Sequence, residues 1–177
     1  RQLRVILEKV NSLKSKTRKA LSLFSGAGGM DIGIRDAGFN ILAEIEFDEH
    51  CCATLKANAE RQQTGTRVYH DDIRTVDPVD LLRESGLKKG ELDLLFGGPP
   101  CQSFSLAGKQ LGLRDERGLL LFEIIRFADV LKPKVILLEQ VKGLLSSKGS
   151  EGRRGEVFEK FLSELEAINY TPKWRVI

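Results

Sequence analysis

No stretch of this 177-residue chain is apolar for more than a few residues; Leu119-Leu120-Leu121-Phe122 is typical of the longest runs. A membrane-crossing helix needs about 20 such residues, so none is expected. The first 19 residues carry seven Lys or Arg but no continuous apolar core, so they do not read as a signal peptide. The chain opens on Arg1 rather than Met, as expected of a portion of a longer chain. Cysteine is scarce. Cys51, Cys52 and Cys101 are odd in number and two are adjacent, which excludes a disulfide framework and favours a reducing compartment. They also lack the paired spacing of a zinc site. Repeats and low-complexity tracts are absent. Charge of one sign is lacking too. The net +3 arises in the first 19 residues, where seven bases meet one acid; the other 158 residues sum to −3. Bulk charge therefore argues only weakly for a nucleic-acid partner.

What is present is an ordinary globular composition, 41% hydrophobic and 30% charged, in one domain or most of one. Residues 2–14 repeat apolar side chains at helical spacing, and Lys14 to Lys19 forms a basic connector. Short apolar runs then alternate with helical stretches. Strands are expected at 20–24, 39–45, 66–70, 92–96 and 134–138, with a sixth starting in 171–177. Helices are expected from the glycine cluster to about Gly38, from Asp48 to about Asn58, and over 118–131 and 156–168. Residues 101–117 read as a long loop, the kind that often forms a functional lid. The alternation predicts an α/β fold with a mainly parallel sheet covered on both faces. Ligands in such sheets sit at the carboxyl ends of the strands. Gly26 to Gly29, Glu46, Asp72, Pro99 to Cys101 and Glu139 all fall at those ends.

Phe24-Ser25-Gly26-Ala27-Gly28-Gly29 follows a strand and opens a helix. It departs from a dinucleotide fingerprint at Asp31, and no Lys-Ser/Thr pair follows to make a P-loop. Glu46, 20 residues after Gly26, is well placed to grip a ribose diol. Taken alone, the pair also reads as a tight turn plus a surface acid. Asp72-Ile73 alone reads as a solvated turn; beside the first two motifs, Asp72 could accept from an adenine amino group and Ile73 could flank the ring. Gly97-Gly98-Pro99-Pro100-Cys101-Gln102-Ser103-Phe104-Ser105 is the most specific string. Its glycines and prolines fix a loop that sets one cysteine just past a strand end, as a nucleophile requires. A free cysteine is otherwise a small buried hydrophobe. Glu139 ends the fifth strand, and an acid beside a nucleophile can donate a proton if burial raises its pKa. Lys109, Arg114, Arg117, Lys142, Lys148, Arg153 and Arg154 crowd the loops after the fourth and fifth strands, either as a solvated face or as phosphate contacts.

Together these strings resemble the cytosine-C5 DNA methyltransferase family from about Lys19 to the last residue. The resemblance implies a Rossmann-like S-adenosylmethionine-dependent fold, incomplete at the C-terminus. It implies a basic N-terminal segment at 1–19 and a partial catalytic domain at 20–177, without the target-recognition domain. Phe24, Gly26, Gly28, Gly29, Glu46, Phe47, Asp72, Ile73, Pro100 and Leu120 would bind the cofactor. Cys101 and Glu139 would be catalytic. Gln102, Ser105 and Arg117 would touch DNA, and residues 102–117 would form a lid closing on it. The implied mechanism flips the target cytosine out of the stack, attacks C6 with Cys101 and methylates C5; it requires no metal. The partner would be DNA containing the target cytosine, with a later region or a second polypeptide carrying the target-recognition part. The location would be a bacterial cytoplasm, with the nucleoid, or a eukaryotic nucleus, and restriction-modification the natural setting. Gln140 departs from the family's Asn, whose role is to order the cysteine loop, and its length is expected to weaken that ordering. Alternatives are a tRNA cytosine-C5 methyltransferase, a catalytically incompetent cofactor-binding subunit, and a nicotinamide dehydrogenase. Asp31 and the lack of a His or Tyr hydride constellation count against the last.

Overall fold

The computed structural model describes residues 17–100, 116–149 and 151–177, and the side chains of all of these but 116–119. The expected helix at 2–14 and most of the expected loop at 101–117 lie outside the described residues. Five parallel strands form one sheet in the order β3-β2-β1-β4-β5. They are β1 (Arg18–Leu23), β2 (Phe39–Glu46), β3 (Arg67–His70), β4 (Leu94–Gly97) and β5 (Val135–Leu138). β1 begins at Arg18, so the end of the expected connector belongs to the sheet. The chain climbs outward through β1, β2 and β3, then returns to the other side of β1 with β4. That reversal opens a crevice beyond β1 and β4, where an open α/β sheet binds ligands.

The helices are α1 (Gly29–Asp36), α2 (Glu49–Gln62), α3 (Pro78–Glu84), α4 (Glu116–Leu131) and α5 (Glu156–Ala167), with a short 3-10 turn at Lys142–Ser146. Asp48 caps α2 as expected, its carboxylate accepting from the Cys51 amide. Gly38 sits one residue past the α1 cap with φ +87°, the left-handed turn a helix end favours. α3 was not expected; Asp77 caps it and Pro78 opens it. The strand expected in 171–177 does not form: that tail has no sheet partner among the described residues and carries no regular structure. Thr-Pro-Lys-Trp alternates as a strand would, but a strand exists only where a neighbour completes its hydrogen bonds.

Both faces of the central strands are covered. Leu21, Leu23, Ile45 and Leu95 pack with Ile124, Phe127 and Leu131 of α4. Ala20, Ile41, Leu94 and Phe96 pack on the other face with Met30 and Ile34 of α1. A third cluster joins Leu121 and Ile125 of α4 to Val157, Phe161 and Leu165 of α5. β5 differs. Ile136 and Leu138 face α4 and α5, but Val135 and Leu137 on the other face are exposed. A cavity of about 940 Å³ lies among β5, the 3-10 turn, α5 and the tail. Trp174 of that tail meets Phe158 edge-on, with ring centroids 5.3 Å apart.

Candidate functional site

The last rung of the sheet aligns Ile45, Leu23, Gly97 and Leu138 across four strands. One step beyond it stand Glu46, Phe24, Gly98 and Glu139, so the register gathers three expected site residues, Glu46, Phe24 and Glu139, at one level. Gly97 is required there: a Cβ would lie 2.2 Å from the Leu23 carbonyl oxygen. Phe24 leaves β1 with φ +56°, a strained angle for an aromatic residue that turns the chain into the glycines. Gly28 adopts φ +87° and packs so tightly that a Cβ would meet Leu55 at 2.9 Å. Gly26 and Gly29 face open space instead. That combination leaves backbone approachable by a ligand.

Glu46 organises the crevice. Its Oε2 accepts from the Gly26 amide at 2.7 Å, and its Oε1 accepts from the Phe47 and Asp48 amides at 2.8 Å each. The carboxylate thereby joins the end of β2 to the glycine turn, and Oε2 keeps a lone pair for a further donor. Phe47, beside it, is 72% exposed. Asp72 is engaged in a fork with Arg74, at 2.6 Å and 3.1 Å, which holds its carboxyl below the usual range. Ile73 is buried in the main core. Leu120 is partly buried against that same core.

The loop leading to the cysteine is tethered on its described side. Gln140 Nε2 donates to the Pro99 carbonyl at 3.1 Å, while its Oε1 accepts from the Val141 amide at 2.8 Å. The long side chain reaches Pro99, two residues before Cys101; the cysteine loop, whose ordering it was expected to weaken, lies outside the described residues. Pro99 is buried and Pro100 half-buried. Glu139 is exposed. Its amide donates to the Gly97 carbonyl at 3.1 Å, and it lines a cavity of about 270 Å³ with Phe24, Ser25, Asp31, Gly97 and Gly98. Cys101, Gln102 and Ser105 lie outside the described residues, as does the side chain of Arg117, whose backbone belongs to α4.

Two features escaped the sequence reading. Arg126 donates to the Ile73 and Val76 carbonyls at 2.6 Å and 3.0 Å, tying the loop after β3 to α4. Its signal was an arginine set between the apolar pairs Ile124-Ile125 and Phe127-Ala128. Asp31, Arg35 and Glu44 form a buried charged cluster: Arg35 bonds Glu44, whose carboxyl is pushed up to about 7, chiefly by burial and then by Asp31. Cys52 is buried with Sγ 3.3 Å from the Glu46 carbonyl oxygen, and burial pushes the thiols of Cys51 and Cys52 up, away from the reactive thiolate. Among the described residues no helix is long and apolar enough to cross a membrane, and no group of three His, Cys, Asp or Glu is arranged to hold a metal.

Residues 18–177 match the family described as C-5 cytosine-specific DNA methylase. The chain is 40% identical over 157 residues to Type II methyltransferase M.AquIA of Picosynechococcus sp., a match covering 88% of this chain and 60% of that protein. It is 44% identical over 151 residues to Type II methyltransferase M.PspPI of Psychrobacter sp., covering 85% and 33%. Among solved structures, a DNA modification methyltransferase encoded within an E. coli prophage superposes with a TM-score of 0.66 at 25% identity. That match covers 85% of this chain and 38% of the prophage protein.

Proposed function

Because the chain belongs to the C-5 cytosine-specific DNA methylase family, we propose that it supplies the cofactor-binding and catalytic part of a DNA cytosine-C5 methyltransferase. The observation carrying this reading is the convergence, at one end of the parallel sheet, of the glycine turn, Glu46, the Gly97 to Pro100 string and Glu139. The residues fit S-adenosylmethionine: Gly26 and Gly29 leave backbone open, and Glu46 Oε2 retains acceptor capacity for a ribose hydroxyl. Phe47 is free to lie on the adenine ring, while Asp72 would have to share its carboxylate between Arg74 and the adenine amino group. Pro100 would border the methionine end. When bound, the cofactor supplies one electrophilic methyl group for C5 of the base.

The chain's own residues do the rest. Cys101, as thiolate, bonds to C6 of a flipped cytosine, and Glu139 hydrogen-bonds at N3 to favour the charge that builds there. A base then takes the C5 proton, its electron pair re-forms the C5–C6 double bond, and the C6–sulfur bond breaks to return the Cys101 thiolate. Gln140 holds the Pro99 carbonyl and so helps fix where the cysteine loop begins. Gln102, Ser105 and Arg117 would meet DNA. The chain spans 60% and 33% of the lengths of the two curated relatives named above. The exposed Val135 and Leu137 on β5 are consistent with further polypeptide, fused or separate, that would also read the target sequence.

The test is trapping on DNA that bears 5-fluorocytosine at the target site, with the complete or reconstituted enzyme. Fluorine replaces the proton that must leave, so the adduct should persist. Cys101→Ser should abolish it while cofactor binding is kept, and Cys51→Ser and Cys52→Ser should still trap. An active preparation that still forms the adduct with Cys101→Ser would overturn the mechanism.

A further inference from the structure

We propose that Asp31 is the counter-charge for the α-ammonium group at the amino-acid end of the cofactor. This rests on the reading above, that the crevice beyond β1 and β4 holds S-adenosylmethionine. Asp31 stands in the first turn of α1 and is 0% exposed. Neither of its carboxylate oxygens has a hydrogen-bond partner. Ser22, Arg35 and Glu44 are its polar neighbours; Arg35 Nη2, one turn along, bonds Glu44, and none of the three is in hydrogen-bonding geometry with the Asp31 oxygens. A buried carboxylate without a donor is costly, and a protein keeps one at an unfilled site only if something else fills it.

The surroundings say what that something is. Asp31 lines the cavity of about 270 Å³ between the glycine turn and Gly97-Gly98. The described residues lining it include two acids, Asp31 and Glu139, and no base. Such a cavity favours a cationic guest. Glu46 stands at the end of β2, next to the Gly26 side of the turn, where the ribose is placed. The cavity lies on the side of β1 toward β4, where the rest of an S-adenosyl compound would extend. The ammonium is the group there with hydrogens to donate; the sulfonium has none. Burial raises the Asp31 carboxyl, and a bound ammonium would draw it back to the charged form.

The experiment is calorimetric titration with two uncatalysed probes, 5′-methylthioadenosine and 5′-(3-aminopropylthio)adenosine. The second adds an ammonium and no carboxylate. The unaltered protein should bind the aminopropyl compound about tenfold more tightly or better. Asp31→Asn should erase that margin and leave the affinity for methylthioadenosine within about twofold. Glu46→Ala should weaken both probes alike and leave the margin intact. Asp31→Asn removes a buried charge at nearly constant shape, so its unfolding midpoint should not fall, which separates lost recognition from lost structure. A margin that survives Asp31→Asn, or a loss shared equally by both probes, overturns the assignment. If the unaltered protein binds neither probe, the cofactor reading falls, and this inference with it.

Discussion

At the carboxyl ends of β1 and β2 the backbone is saturated. Three amides converge on Glu46, Ser25 donates to Ile45, and Leu23 and Ile45 are fully enclosed. On β5, in the same sheet, Val135 and Leu137 are 55% and 43% exposed, and a large cavity opens along the strand. Both regions are parallel strands, and β5, Val-Ile-Leu-Leu, is the more apolar of the two. The difference is neighbours: among the described residues β1 has a strand on each side and a helix over each face, whereas β5 has one paired strand and one covered face. A strand's sequence sets its capacity to be buried, and its place in the sheet order decides how much of that capacity is used.

If that contrast is energetic as well as geometric, truncation should reveal it. Ile45→Ala should cost about 2–5 kcal/mol of stability, and Leu137→Ala less than about 1 kcal/mol. Urea denaturation checks both; equal costs would break the comparison. Next in size is Glu46→Ala, which removes the acceptor shared by three amides. Affinity for S-adenosylhomocysteine, read by calorimetry, should fall about tenfold to a hundredfold, and an unchanged affinity would remove Glu46 from the proposed site. The last prediction concerns charge. Burial holds the Glu44 carboxyl at about 7, against 4.5 for the free group. The folded state then binds the proton more tightly than the unfolded one. Stability from this group is greatest below about pH 4.5 and is lost as pH rises to about 7, by about 3 kcal/mol at most. Unfolding midpoints at pH 5 and pH 7.5 should therefore differ more in the unaltered protein than in Glu44→Gln.

The strand ends were legible because Gly26, Gly38, Gly97 and the Pro99-Pro100 pair punctuate them, and such residues act locally. α3 was missed because seven residues are too few to show a helical period, although Asp77-Pro78 is a start signal. The tail was misread because pairing belongs to the neighbour as much as to the segment. Asp31 was noticed only as a mismatch in a glycine pattern; that it is buried and without a donor is set by β1 and β2, which no local spacing encodes. That Gln140 reaches the Pro99 carbonyl follows from the pairing of β4 with β5, which no local spacing encodes.

Trp174 is the molecule's one tryptophan, and it stands on the tail bordering the open side of β5. Its ring is 59% exposed and touches Phe158 at its edge. The protein's intrinsic fluorescence is therefore a local signal with a known address. A nucleoside at the glycine turn leaves the indole's surroundings as they are, whereas a polypeptide seated against β5 strips water from it and moves the emission to the blue. Titrating in the proposed partner polypeptide can be followed by light alone, with no label attached.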